Sequence, residues 1–559
     1  MVYVTYNIPD TGVLALFLTI PLSASRLSVL LVVLALSFIF PLIFRRNLVD
    51  KDGYPIPPGP LLRYAFLRRY PERALRSWAR TYGPLFSVWM GNQLFVVVSD
   101  ARIAKDLLVT NGAIFSSRKL YFMKNQTILR GRAITATPYN DTWQMTWSWQ
   151  ATTSQDAMQL LTPKAIQGYA SVLDYEAHIL VRSLYHESHM GTLPIDPAHF
   201  AGRYALNNML TITFATRTDS TLDPLTERAL ALATEFMELT GPWSNIVDFI
   251  EPLQRIPTPT RTRGRLLHDG IVEVYGAMIM RVRARMDAGE DVPDCLVKTL
   301  LLTQEQEKLD WEDLCMLSAV FTLGGVHSTS GVIQWFLALI SSHPDVQARA
   351  HAELDQVIGR DYWPTAQDEM RLPYIRAIIK EVERAHSPFW MATPHYSTED
   401  FVYNGMYIPK NTALVLNCYD IHHNEEKYTN SYEVFPFDRI FSILRRSFAF
   451  NPDRYLGDTL TCAESSKLSD AMDRDHWAFG AGRRICPGVH VAERELWLAI
   501  SRLLWAYDIR SLPDEPISLE EYEGESGRTP LPYRIMLIPR HDRVQALLEA
   551  EQEVTLMKL

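Results

Sequence analysis

The sequence predicts a mainly helical fold of the α+β class: one large helical body carrying small β-sheets, preceded by a transmembrane helix. Three observations predict it. Long stretches after residue 60 place apolar residues at helical spacing. Only a few short β-favouring runs interrupt them, each beside a turn signal. Near the N-terminus, residues 27–44 form an uncharged apolar run that just reaches the length of a bilayer-spanning helix.

Taken in order, that run is followed by Arg45, Arg46 and Lys51, whereas Asp10 is the only charge before Arg26. The excess of positive charge on one flank predicts that the chain after it lies in the cytosol. The apolar stretch 13–24 is too short to span alone and either lies in the interface or lengthens the anchor. The other reading, a cleaved signal peptide, lacks the basic leading region such peptides carry. Pro55-Ile56-Pro57-Pro58-Gly59-Pro60 is a stiff, extended segment with few backbone donors, as suits a hinge. The expected organisation is a membrane anchor at 1–46, a proline-rich hinge at 47–60 and a single body at 61–559.

Within the body, 85–90 and 94–98 read as a hairpin around Gly91-Asn92-Gln93. A second hairpin pairs 402–403 with 406–408 across Asn404-Gly405, a strong two-residue turn signal, and 413–416 is a further strand. Helical periodicity covers 314–341, 345–357, 373–385 and 490–507. No linker, repeat or low-complexity tract divides the 559-residue chain after residue 55. The formal net charge of −9 argues against a nucleic-acid partner. Five scattered cysteines show no zinc-ligand spacing and fit a reducing compartment.

The most informative run is Phe479-Gly480-Ala481-Gly482-Arg483-Arg484-Ile485-Cys486-Pro487-Gly488. It places one cysteine among glycines, beside two arginines, just before an amphipathic helix. Glycines let the backbone turn tightly and lie close to a planar ligand. Backbone N–H groups can point at the sulfur, and a metal on it removes the thiol proton. Arg484 can meet a carboxylate on the edge of a cofactor. The alternative is a glycine-rich turn around a buried structural cysteine.

This run resembles the haem-binding loop of the cytochrome P450 family, with Cys486 as the axial thiolate and metal ligand. It matches at Phe479, Gly480, Gly482, Arg484, Cys486 and Gly488. Upstream, Glu381 and Arg384 share a face of the 373–385 helix, and Phe450-Asn451-Pro452-Asp453-Arg454 follows the second hairpin. That order resembles the family's Glu-x-x-Arg helix and meander, and the resemblance implies a buried network of Glu381, Arg384 and Arg454. It also implies that His395 contacts a haem propionate, unless it is a satisfied surface histidine.

Phe321-Thr322-Leu323-Gly324-Gly325-Val326-His327-Ser328-Thr329-Ser330 sets small and polar groups inside a long apolar helix. A glycine costs about 1 kcal/mol there, so the pair suggests a ligand pressing on the backbone. Hydroxyls that bond the i−4 carbonyl can open the helix locally. The run resembles the family's oxygen-binding groove, with His327 where an acid is usual and Ser328 where threonine is usual. The expected catalytic residues are His327, Ser328 and Thr329 as a proton relay, with His327 titrating near 6.5 when unperturbed. The bland reading has His327 facing a neighbouring helix.

Two stretches depart from the family. Trp143 resembles the start of a Trp-x-x-x-Arg motif, but its last position is Trp147, within an extended stretch 147–155. Phe435-Pro436-Phe437-Asp438-Arg439 duplicates the motif at 450–454, with 440–449 between the copies. These are surface insertions or unspliced intron sequence. The resemblance implies haem b as cofactor, O2 as co-substrate and electrons from NADPH through a diflavin reductase, with Arg483 and Arg494 as candidate contacts. It implies a monooxygenase anchored once in the endoplasmic reticulum membrane and facing the cytosol. The apolar segments Phe321, Leu323, Val326, 388–393 and 115–123 suggest a bulky, lipophilic substrate. The style of the sequence resembles fungal members of secondary metabolism, which act on terpenoids or aromatic polyketides. The alternatives are a haem-thiolate isomerase or dehydratase that uses no O2, or a non-catalytic haem binder.

Overall fold

In the computed structural model the described residues are 46–62, 70–132, 138, 160–428 and 449–555. The expected span at 27–44, the stretch 13–24, Trp143, Trp147 with 147–155, and residues 435–448 lie outside them. The main helices are α1 (Pro71–Tyr82), α2 (Ala170–Glu187), α3 (Ala198–Phe214), α4 (Pro224–Leu239), α5 (Pro259–Asp287), α6 (Trp311–Ser342), α7 (Pro344–Val357), α8 (Pro373–Ala385) and α9 (Val489–Ala506).

α6 is the axis of the body. Asp310 caps it: its side chain accepts from Asp313 N–H at 2.8 Å, and Asp313 accepts from Asp310 N–H at 3.0 Å. This box starts the helix three residues before the apolar periodicity does. α6 is long and apolar enough to cross a membrane, but 67% of its most apolar window is buried inside the protein. It is a core helix, packed on α3, α5 and α9. A Cβ on Gly325 would stand 2.4 Å from Met209 Sδ of α3, so the missing side chain is what lets these helices approach.

One five-stranded sheet has the order β1 (Leu85–Met90), β2 (Gln93–Val98), β7 (Ala413–Leu416), β4 (His395–Tyr396), β3 (Ser117–Arg118). β2 and β7 run parallel and the other pairs antiparallel. All of β1 and β7 is buried, as their unbroken apolar runs demand. The second hairpin, β5 (Phe401–Tyr403) and β6 (Met406–Ile408), turns through Asn404 and Gly405, both at positive φ (48° and 75°). Near the C-terminus β8 (Tyr507–Ser511) pairs with β11 (Ile535–Pro539), and β9 (Tyr522–Glu523) with β10 (Thr529–Pro530).

The proline-rich segment is extended, as its composition dictates, but it is bound to the body. Ser87 N–H and Oγ donate to the carbonyls of Pro58 and Pro57 at 2.7 and 2.6 Å, and Tyr407 N–H to that of Pro55 at 2.8 Å. Prolines lack donors but keep acceptors, so this segment satisfies the outer edge of β1. A Cβ on Gly59 would lie 1.8 Å from Ser87 O.

Candidate functional site

The cysteine loop leads into the N-terminus of α9. Cys486 N–H donates to Phe479 O at 2.8 Å, closing the loop. Gly480 and Gly482 have φ of +75° and +61°, which other L-residues adopt only under strain. A Cβ on Gly482 would also lie 2.0 Å from Leu108 O. A Cβ on Gly488 would meet Cys486 Sγ at 3.7 Å. Burial pushes the Cys486 thiol up, while the N–H of Gly488 bonds the sulfur and pulls the other way. The sulfur therefore holds its proton until a cation replaces it.

Beside the loop stands a band of cations. Arg484 Nε donates to Ser116 O at 2.9 Å. Arg118 faces His395 across the β3–β4 register and donates to the carbonyls of Thr393 and Pro394 at 2.6 and 3.2 Å. Its Nε is buried without a hydrogen-bond partner. Burial, then the neighbouring Arg484 charge, pushes the Arg118 guanidinium down to about 9. His395 is buried, not superficial, and its Nδ1 bonds Phe115 O at 2.7 Å. Burial first and Arg118 second hold its ring far below the usual histidine range. Together these groups favour anionic carboxylates at this edge.

Glu381, Arg384 and Arg454 are brought together. Arg384 donates to both Glu381 oxygens at 2.6 and 2.7 Å, and Arg454 Nε to one of them at 3.3 Å. The same oxygen accepts from Asn451 N–H at 2.8 Å. Glu381 and Arg384 are 0% exposed. Burial disfavours the Arg384 charge, but Glu381 more than offsets this, and the guanidinium is raised. Arg384 also donates to His422 O at 2.8 Å and Ala449 O at 3.2 Å, tying α8 to the chain on either side of the meander.

The glycine pair in α6 has two separate uses. Gly325 belongs to the crossing with α3, whereas a Cβ on Gly324 would enter open space. Ser328 lies one turn on and donates to Gly324 O at 2.9 Å. Phe321, Gly324 and Ser328 share this more open stripe of the helix; Leu323 and Val326, expected beside a substrate, are turned into the core at 1% and 2% exposure. Trp390 and Met391 are likewise core residues, with the Trp390 ring packed edge-on at 4.9 Å from Tyr419.

The structure does not assemble the expected relay of His327, Ser328 and Thr329. Successive helical residues diverge by about 100°, and here each meets a different surface. His327 packs on Gly527 of the β9–β10 hairpin, where a Cβ would lie 2.6 Å from its Nδ1. That nitrogen is buried without a hydrogen-bond partner, and burial pushes the ring down to about 4. His327 is thus neutral at pH 7 and is no cationic proton donor. Thr329 instead donates to Glu495 Oε2 of α9 at 2.9 Å. Burial pushes the Glu495 carboxyl up to about 8, and Tyr204 donates to its backbone carbonyl at 2.8 Å.

Sequence reasoning missed Arg118 and Glu495. A signal existed for the latter: it is an acid on the apolar face of α9, between Val491 and Leu498, where only a partnered carboxyl is tolerated. Arg118 carries no such mark, because only strand pairing sets it beside His395. The residues present fit a haem. Cys486 offers a sulfur with an N–H aimed at it, Arg484, Arg118 and His395 flank an acidic edge, and Gly324 leaves the helix face clear.

The comparisons agree with this geometry. The sequence profile of the family "Cytochrome P450" matches residues 55–537. Cytochrome P450 monooxygenase polD of Polytolypa hystricis is 28% identical over 517 residues, covering 90% of this chain and 94% of that protein. Cytochrome P450 monooxygenase virE of Hypocrea virens is 28% identical, covering 93% and 92%. Cytochrome P450 monooxygenase verL of Clonostachys rogersoniana is 29% identical, covering 85% and 84%. With a family match across most of its length, this chain belongs to the cytochrome P450 family of monooxygenases.

Proposed function

We propose that this enzyme inserts one oxygen atom of O2 into a C–H bond of a lipophilic small molecule. Electrons would come from NADPH through a diflavin reductase, and the catalytic body would be tethered to the endoplasmic reticulum membrane by residues 27–44. The observation that carries the reading is the half-buried Cys486 with the Gly488 N–H aimed at its sulfur, flanked by Arg484, Arg118 and His395. Bound haem supplies oxygen activation, which a thiolate ligand favours by pushing electron density to the iron. This chain's residues do the rest. Gly488 N–H steadies the thiolate, and the cations hold the acidic edge. The Glu381–Arg384–Arg454 network fixes α8 behind the loop.

For protons we assign Thr329 and Glu495 in place of His327. Glu495 holds its proton near neutral pH and bonds Thr329 Oγ1, while Ser328 Oγ lies on the open stripe. Exposed Arg483 suits an acidic reductase surface; Arg494 is half-buried near Glu369 and suits it less. The named relatives come from fungi; a role in fungal secondary metabolism, on a terpenoid or an aromatic polyketide, rests on the style of the sequence alone.

The test is to reconstitute the full chain with haem and a fungal reductase. The reduced carbon-monoxide spectrum should carry the red-shifted Soret band of thiolate ligation. Incubation with 18O2 and NADPH should then yield a product one labelled oxygen heavier. Product that forms without NADPH would instead mark an isomerase or dehydratase.

A further inference from the structure

This inference rests on the monooxygenase reading and names the polar group of its substrate. We propose that the hollow beside β3 and β4 binds a carboxylate of the substrate through the ammonium of Lys124, which makes the substrate a lipophilic carboxylic acid.

Four separate segments close on this hollow. Arg118, Lys124 and Asn125 come from the chain around β3, Pro242 follows α4, Thr393 precedes β4, and Ser526 sits in the β9–β10 hairpin. Among the described residues no carboxylate lines it. Next to its lining residues Pro394 and Ser526 in the chain stand His395, beside Arg118, and Gly527, packed against His327 of α6. Among the described residues the Lys124 ammonium has no hydrogen bond or ion pair, and the only charge felt by it is the like charge of Arg118. Burial and that charge push Lys124 down to about 8. A half-buried ammonium facing another cation is costly unless an anion joins it.

Counting charges assigns the anion. Arg484, Arg118 and Lys124 form a row in which each cation depresses its neighbour. Lys119 lines the hollow too, with its ammonium 5.4 Å over the Tyr121 ring and Asp248 as a partial counter-charge. Haem would bring two carboxylates to the edge beside the cysteine loop, where Arg118 and His395 face each other. Lys124, at the far end of the row, is left for a third. The Asn125 Oδ1 is committed to Tyr121 N–H at 2.7 Å and does not compete for it.

The test uses the full-length holoenzyme and spectral titration. Dodecanoic acid, octadecanoic acid and a tricyclic diterpene acid are each compared with their methyl esters. At least one acid should bind about 10-fold or more tightly than its ester, the effect of one charge-assisted contact. Lys124→Met should erase that preference while leaving ester affinity and haem per chain unchanged, and Lys124→Arg should keep it. Acids and esters that bind alike, or a preference that survives Lys124→Met, would overturn the proposal. So would loss of haem in Lys124→Met with the preference intact, which would assign this cation to the cofactor's own carboxylate. Failure of the monooxygenase reading shows separately, as an absent thiolate carbon-monoxide band or no NADPH-dependent oxygenation.

Discussion

The two sides of the site are built on opposite principles. Behind the cysteine, the Glu381 network is densely bonded: Glu381 accepts from Arg384, Arg454 and Asn451, and Arg384 reaches two backbone carbonyls besides. Along α6 polar groups are left short of partners. Among the described residues His327 Nδ1 is buried without a hydrogen bond, and the Glu495 carboxyl has only the Thr329 hydroxyl and the Asn208 amide beside it. A densely bonded network fixes geometry, because every displacement breaks several bonds at once. An under-satisfied one can take up water and move protons. On the proposed reading, the first side would hold the cofactor's ligand still and the second would handle what changes during turnover.

The contrast can be broken most forcefully at the sulfur. Cys486→Ser should abolish oxygenation and the thiolate carbon-monoxide band together, since the hydroxyl keeps its proton where a thiol yields it. Next comes the network. Glu381→Gln leaves Arg384 buried without its counter-charge, and should cost about 3–5 kcal/mol, read by urea unfolding, with haem content falling in parallel. Gly482→Ala should also lower haem incorporation, as its Cβ would collide with Leu108 O at a positive φ.

On the α6 side the effects should be smaller and should fall on coupling. Glu495→Gln is expected to lower product per NADPH by about 10-fold or more while sparing the fold. It also has a pH signature. The native Glu495 carboxyl keeps its proton to about 8, whereas the unfolded one loses it near its ordinary value of 4.5. The unfolded chain thus binds fewer protons between these values, so this group's contribution is present at low pH and is lost as pH rises from 4.5 to 8. Wild-type stability should fall more steeply than that of Glu495→Gln over that window. The smallest effect is expected at His327: His327→Gln should leave coupling within about twofold of wild type. A larger loss would restore His327 to the proton path and blur the distinction between the two sides.

Legibility followed the same divide. Loop glycines, the α8 pair and the hairpin at Asn404-Gly405 are local, and their spacing alone places them on one turn or one helical face. The proline segment was legible as extended chain, but not as the strip that covers the edge of β1, because its partner Ser87 lies about 30 residues away. The glycine pair in α6 read as one feature and proved to be two, since only the crossing with α3 shows that Gly325 is spoken for by Met209.

By itself, then, the sequence determined the two hairpins, the four helices that it marked, the cysteine loop and the family, because these depend on short-range backbone preferences and on contiguous motifs. Tertiary structure alone decided that His327 is neutral and stranded, that Thr329 turns to Glu495, and that Arg118 and Lys124 extend the cationic edge of the loop. Those outcomes hang on burial and on charges brought together from distant segments, which sequence spacing does not encode.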